Sequence, residues 1–448
     1  MHSMASGFPV GFCFFPRPRS RPTNALTFPS PRQQAGMSSS TRFTHLFAGS
    51  NLNRLSVLRS NPAFLTNSLQ SPSTRFIALR NLDALLTALT TPTGTSTATT
   101  TTTAPTAGIP PLSPHKQHIA YLTYTDVKPA LDAGAFHVFL GVDEGDTEGT
   151  GEYTSERKGG VVVVKGRSYW AVDLTKSGDL DDGVLAGLDG AFTTKNYAFT
   201  PLRSALGSLP WDIESALIAQ ARSVVDWNVR NQYCPACGKL TESGEAGYKR
   251  FCPRPNLDEV GEGEKEATKR CLSLTGVNNF QYPRTDPVVI IAVTHPTHPH
   301  KLLLGRQTRF PASTYTCIAG FMEPGESIEE ACAREVAEET GIQLNMDSIT
   351  YHSSQPWPFP NSVMIGCLAQ ARSVDVSLVD EELEDARWFD REQVVRALAR
   401  HYGGGPLPGE AQGQGEAEME IKIPPPYAIA HQLIKAWVEG FKLQPAKM

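Results

Sequence analysis

The sequence predicts a mixed α/β chain (α+β in the way its elements segregate) with a β-rich N-terminal domain, a four-cysteine segment and a C-terminal α/β domain. Three observations predict it. Residues 119–174 carry strand-like runs, AFHVFLGVDE, GGVVVVKG and SYWAVDL, punctuated by Gly and Asp. Cys234 and Cys237 form a C-x2-C turn followed by Cys252 and Cys271. The stretch GFMEPGESIEEACAREVAEETGI, 320–342, reads as a capped acidic helix preceded by apolar strands. The boundaries that follow are 1–36 as a disordered or targeting segment and 37–210 as the β-rich domain with a low-complexity insert at 91–112. After them come 211–282 as a helix plus zinc-ribbon segment and 283–448 as the α/β domain. A chain of 448 residues can bury such cores without staples.

In chain order, residues 1–82 hold no Asp, Glu or Lys but nine Arg between Arg17 and Arg80, among many Ser, Pro and Thr. That is transit-peptide composition; disorder, or an over-extended start ahead of Met37, is the other reading of 1–36. The Thr/Ala/Pro/Gly tract 91–112 cannot bury a core and reads as a surface loop. Asp212 is placed to cap a helix over 213–232, in which Ile213, Leu217, Ala221, Val224 and Val225 recur at helical spacing.

The CPACG turn aims two thiolates at one point, and Cys252 with Cys271 would complete a tetrahedral four-thiolate zinc site. The charged spacer 253–270 makes Cys271 the outlying ligand. A redox C-x2-C is the alternative, although such pairs usually open a helix after a strand. The remaining four of the eight cysteines are scattered, as expected of a reducing compartment.

Next, YPRTDPVVIIAV predicts a buried strand and HKLLLGRQTR its hairpin partner. Ser327 and Glu330 have capping-box spacing, and Gly341 is placed as a left-handed C-cap. On the helix between them Glu335, Glu338 and Glu339 share one face, expected to be solvent-exposed, while Cys332, Ala333, Val336 and Ala337 flank it. Neighbouring carboxylates repel unless a cation neutralises them, and hard oxygen ligands suit Mg²⁺ or Mn²⁺. A solvated acidic face is the other reading. The segment SSQPWPFPNS, 353–362, is too rich in Pro and aromatics for a helix or central strand. It is expected to be an extended loop that either stacks flat rings or packs as a surface turn. SVMIGCLAQA reads as a strand, 402–420 as a Gly-rich insert, and 425–441 as a final helix with Ile429, Leu433, Ala436 and Trp437 on one side.

Gly320, Glu326, Arg334, Glu335, Glu338, Glu339 and Gly341, with Val336 and Ile342, fill every fixed position of the Nudix box. The chain therefore resembles the Nudix hydrolases. SQPWPFPNS at this distance after the box, together with LRSAL, YPRTDP, EDARWF and the four-cysteine segment, is similar to the NADH pyrophosphatase (NudC-type) family over most of 113–448. The resemblance implies a Nudix α/β/α sandwich preceded by a zinc ribbon. It also implies metal-dependent hydrolysis of NADH or NAD⁺ to AMP and nicotinamide mononucleotide, by homodimers carrying one Zn²⁺ per subunit. Carried over position by position, it implies that Glu335, Glu339 and Glu382, with the Ala319 carbonyl, hold Mg²⁺ or Mn²⁺, with Glu338 beside them and Arg334 orienting the carboxylates. Gln355, Pro356, Trp357, Pro358, Phe359, Pro360, Asn361 and Ser362 would line the dinucleotide site. Phe321 and Tyr282 would stack on its rings, Arg203 would reach a phosphate, and Ala430 would touch substrate from the last helix.

Two rival functions stand beside this. One is removal of a 5′ NAD cap from RNA, the same bond in a larger substrate, although a net charge of −5 supplies no general basic footprint. The other is a nucleotide-sensing or zinc-mediated interaction module, against which the intact glutamate set argues. No apolar run reaches the roughly 20 residues that span a bilayer. The terminal Ala446-Lys447-Met448 is a variant of the Ser-Lys-Leu address, so a peroxisomal import receptor is the expected partner and the peroxisome the expected location; mitochondria, from the Arg-rich start, and cytoplasm are the alternatives.

Overall fold

The computed structural model describes residues 45–88, 113, 116–146, 151–157, 160–178, 180–253, 271–274, 281–378, 382–401 and 420–440. The expected segment 1–36, the insert 91–112, most of the spacer 253–270, the insert 402–420 apart from Glu420, and the C-terminal tripeptide lie outside them.

The first half runs α1 (Pro62–Gln70), β1 (Arg75–Arg80), β2 (Asp83–Thr87), α2 (Tyr124–Asp132), β3 (His137–Asp143), β4 (Gly151–Arg157), β5 (Gly160–Asp173), α3 (Asp182–Thr194), β6 (Tyr197–Thr200), α4 (Leu202–Ala205) and α5 (Ile213–Arg230). The expected break between GGVVVVKG and SYWAVDL is absent, and the two form one strand, β5. The reason is a change of partner: β4 pairs with β5 up to Gly166, and β3 takes over from Arg167, so the ladder is never interrupted. Asp212 caps α5 through its side chain, as the sequence predicts. That helix packs on β3, β5 and β1, and its Asn228 also bonds Gly247 and Arg250 of the cysteine segment.

A short hairpin, β7 (Glu242–Gly244) and β8 (Lys249–Phe251), accompanies the cysteines. The second half then runs β9 (Asp286–Thr294), β10 (Lys301–Arg306), β11 (Ile318–Phe321), α6 (Ile328–Thr340), β12 (Thr350–Trp357), β13 (Ser362–Gln370), β14 (Asp385–Asp390), α7 (Arg391–Arg400) and α8 (Ile429–Val438).

The two sheets have the same plan. The first is ordered β3-β5-β1-β2-β6 and the second β12-β13-β9-β10-β14. In each, one central pair is parallel (β1 with β5, β9 with β13) and the other pairs on that path are antiparallel. A helix precedes the outer strand β3 or β12, and the closing helix, α5 or α8, packs on the equivalent three strands. The chain is thus a structural duplication. Only the second copy carries glutamates on its intervening helix: α6 reads IEEACAREVAEET, whereas α2 reads YTDVKPALD.

In the second copy α6 covers one face of the sheet, where Ala331, Cys332 and Val336 pack with Val289, Ile291 and Cys367. Helices α7 and α8 cover the other, with Val394, Leu398, Leu433 and Ile434 around Ile290 and Leu304. That is an α/β/α sandwich. The segment 353–362 is a hairpin rather than an extended loop: residues up to Trp357 form the end of β12, and Ser362 opens β13. Pro356 is tolerated because β12 is an edge strand, where one flank needs no ladder donor.

Candidate active site

Helix α6 starts where the sequence says it should. Ser327 accepts from the Glu330 amide, Glu330 accepts from the Ser327 amide, and Gly341 ends the helix at φ 72°, a left-handed conformation that disfavours residues with a Cβ. The helix packs on β11 and β9, and this turns the acidic face inward. Glu335 is 9% and Glu339 3% exposed, while Glu338 is exposed. The expectation of an exposed acidic face is therefore wrong for two of the three carboxylates. Helical spacing fixes which residues share a face; it does not say whether a sheet edge covers that face.

Arg334 braces the cluster. Its Nε and Nη2 donate to the two oxygens of Glu326 at 2.5 and 2.9 Å, and Nη1 donates to Glu335 and Glu338, both at 2.9 Å. Nη2 also reaches the Phe321 carbonyl at 2.8 Å, which ties α6 to β11. The fork geometry holds four groups at once, which a lysine could not do. Hydrogen bonding by Arg334 and by the Glu323 amide holds the Glu326 carboxyl down at about 2. Glu335 goes the other way. Burial raises its pKa against the pull of Arg334, and the Glu338 and Glu382 carboxylates push it further up. Glu382, from the loop before β14, thus comes within electrostatic reach of Glu335.

Gly320 explains how the Glu335 carboxylate fits. A Cβ at this position would lie 2.0–2.2 Å from the carboxylate carbon and oxygens of Glu335. The backbone at Gly320 therefore lies directly against that carboxylate. Gly320→Ala is expected to displace Glu335 and lower kcat about 100-fold, the scale of an ångström-level misplacement. The melting temperature should stay close to wild type, and measuring both quantities checks the assignment.

At the start of β9 the remaining parts converge. Phe321, 60% exposed, pairs with Val288 on one side; Ser362 pairs with Asp286 on the other and with Trp357 across the hairpin. The hairpin tip is fixed by the first domain: Arg222 donates to the Pro358 carbonyl and, at 3.2 Å, to that of Leu82, and Ser223 Oγ donates to the Pro360 carbonyl at 3.2 Å. The Arg203 guanidinium lies 4.1 Å over the Phe359 ring, and Phe47 touches both Trp357 and Phe359 edge-on. Nothing in the local sequence around Arg222, Ser223 or Phe47 marked them, since their partners lie more than a hundred residues away.

Two candidate substrate contacts are buried. Gln355 is fully buried, and its amide is engaged by the carbonyls of Leu46 and Tyr427 and by the Ile429 amide, which secures β12. Ala430 lies in the core among Cys317, Ile290 and Leu433. Pro358, Asn361 and Ser362 are buried as well, with Asn361 Nδ2 donating to the Arg284 carbonyl at 2.8 Å; Pro356, Trp357, Phe359, Pro360 and Tyr282 are half-buried.

The cysteines converge completely. The four Sγ atoms of Cys234, Cys237, Cys252 and Cys271 all lie within 4.8 Å of one another, with Cys234 to Cys271 at 3.6 Å and Cys237 to Cys252 at 3.4 Å. These separations are far beyond a disulfide and close to the ~3.8 Å edge of a tetrahedron with 2.3 Å metal–sulfur bonds. Four thiolates are the donor set zinc prefers. The α6 cluster is the opposite kind, all oxygen, and its buried carboxylates against the Gly320 cradle suit a hard divalent cation.

An α/β/α sandwich presenting such a helix, with a thiolate site on a separate segment, defines a class of cation-dependent hydrolase fold. Comparison with known proteins agrees. The NUDIX domain family matches residues 284–406, and the "NADH pyrophosphatase-like rudimentary NUDIX domain" matches 73–227, the first copy of the duplication. A human protein named "NAD-capped RNA hydrolase NUDT12" is 46% identical over 225 residues, covering 50% of this chain and 42% of that protein. The Schizosaccharomyces pombe "NAD-capped RNA hydrolase" is 33% identical over 88% of this chain and 93% of its own. The human "NAD(P)H pyrophosphatase NUDT13, mitochondrial" is 36% identical over 54% of this chain and 60% of its own. The chain belongs to the Nudix hydrolases, in their NADH pyrophosphatase branch.

Proposed function

We propose that the protein hydrolyses the pyrophosphate bond of NADH or NAD⁺, releasing AMP and the corresponding nicotinamide mononucleotide. The observation that carries this is the burial of Glu335 and Glu339 on α6, with Glu335 braced by Arg334, whose guanidinium also bonds the carbonyl of the exposed Phe321. Glu335, Glu338, Glu339, Glu382 and the Ala319 carbonyl would hold Mg²⁺ or Mn²⁺. When bound, such ions neutralise the pyrophosphate oxygens and lower the pKa of an attacking water. The chain's own part is geometric: Arg334 keeps the carboxylates oriented, Gly320 leaves room for Glu335, and Phe321 and Tyr282 offer faces to the rings. Arg203, held on Phe359, supplies a cation for a phosphate. The four thiolates would hold Zn²⁺ as a structural ion.

Reaction in ¹⁸O-water tests the bond broken. The expected products are AMP and reduced nicotinamide mononucleotide, with label in one of the two phosphates and no reaction after removal of divalent ions; free nicotinamide would contradict it. A second reading, removal of 5′ NAD caps from RNA, is favoured by the names of the human and yeast relatives. The chain spans 42% of the human protein's length, so that activity is proposed here on the strength of the site and not taken over whole.

A homodimer is also proposed, to be tested by sedimentation. Among the described residues no helix is long and apolar enough to cross a membrane. A peroxisomal location is proposed, with mitochondria and the cytoplasm as the alternatives, the Ala446-Lys447-Met448 tripeptide being the feature to test. Unchanged localisation after deleting the tripeptide would overturn the peroxisomal proposal.

A further inference from the structure

We propose that Phe251 and Lys249, on the hairpin of the four-cysteine segment, bind the single-stranded RNA that follows a 5′ dinucleotide cap. This rests on the cap-removal reading above and gives the substrate's RNA body a place on the protein.

The hairpin sets an exposed ring beside a partly exposed cation that is held by Glu245 and Tyr282. Phe251 ends β8 and is 40% exposed, and its ring packs against Gly244, where a Cβ would come within 1.9 Å of it. Around it the same small segment exposes Tyr233 at 65% and Leu272 at 66%. Lys249 Nζ lies 5.0 Å from the centre of the Phe251 ring and 5.1 Å from that of Tyr282, so one ammonium stands between two aromatic faces. Its carboxylate partner, Glu245, is at 3.6 Å, long for an ion pair and partly exposed.

Position gives this group its meaning. Tyr282 precedes β9, whose first residues are bracketed by Phe321 and by the Ser362–Trp357 pair. Lys249 therefore links Phe251 on the cysteine segment to Tyr282, the candidate ring-stacking residue that precedes β9. An aromatic face accepts any base, and an adjacent cation tracks the backbone, which is how single strands are bound without sequence preference. With a net charge of −5, this protein would rely on stacking and a few discrete phosphate contacts more than on overall charge.

The test uses the zinc-loaded full-length protein, with NADH and a short single-stranded NAD-capped RNA as substrates. Phe251→Leu keeps apolar bulk over Gly244 and removes the π face. It is expected to lower kcat/KM about 10-fold on capped RNA and to leave NADH turnover and zinc content unchanged. Lys249→Gln should weaken capped-RNA binding modestly and flatten its log–log salt dependence by about 0.7, the value for one phosphate on a single strand. Equal losses on both substrates, or no loss on either, would overturn the proposal. So would dissociation of an oligomer by Phe251→Leu, which would make the patch a subunit contact. If the wild type cleaves NADH but not capped RNA, this inference falls while the hydrolase reading stands. If it cleaves neither, the hydrolase reading falls too.

Discussion

Glu339→Gln is expected to lower kcat by about 100- to 1,000-fold, the scale of losing one preorganised electrostatic contact in a reacting site. The fold should not suffer. Glu339 is 3% exposed, on the same helix as Glu335 and Glu338, so keeping it charged there costs desolvation that a bound cation would offset. Gln has the same size and no charge. The melting temperature of the variant freed of divalent ions should therefore equal or exceed that of the wild type. Added Mn²⁺ should raise the wild-type melting temperature more than the variant's, because ligand binding stabilises only in proportion to affinity for the folded state. Calorimetry with and without Mn²⁺, beside kcat per folded molecule, gives both readings. A variant that melts far earlier while its folded fraction turns over normally would place Glu339 in the scaffold instead.

Cys271→Ser is expected to fail in the opposite way. Cys271 closes a site whose other members, Cys234, Cys237 and Cys252, come from the C-x2-C turn and the short β7–β8 hairpin. Three-residue strands bury too little to fold alone, so the segment is expected to depend on the Zn²⁺ proposed for it, whose binding free energy is folding free energy on the order of 10–16 kcal/mol in small zinc domains. Losing one thiolate should forfeit a large share of that. The variant should lose zinc, melt earlier and aggregate, with activity falling only as folded protein is lost; Cys252→Ser should behave likewise. Full zinc content and an unchanged melting temperature would show that Cys271 is no ligand.

What the sequence made legible, and what it hid, follows the range of the interactions. The capped helix α6 was readable because Ser327, Glu330 and Gly341 act within one turn of its ends. The cysteine set was readable because the C-x2-C turn marks a four-thiol group, whose Sγ atoms converge even across the spacer between Cys252 and Cys271. The duplication was hidden, because it resides in strand pairing while α2 and α6 share no acidic pattern. Burial was hidden as well: Glu339 and Gln355 are polar residues turned inward, by the packing of α6 on β11 in one case and by the carbonyls of Leu46 and Tyr427 in the other. Composition misled at 353–362, where proline suggested a loop and edge position permitted a strand. The clamp on the hairpin tip by Arg222 and Ser223 is tertiary throughout.

The most direct test of the central claim, that carboxylates on α6 hold the reactive cation, is Mn²⁺ binding followed together with NADH hydrolysis in the zinc-loaded wild type and the Glu335→Gln/Glu339→Gln variant. The account predicts that the double variant keeps its zinc and its fold, loses the Mn²⁺ bound by the wild type, and loses hydrolysis with it. Undiminished Mn²⁺ binding with normal turnover in that variant would contradict it.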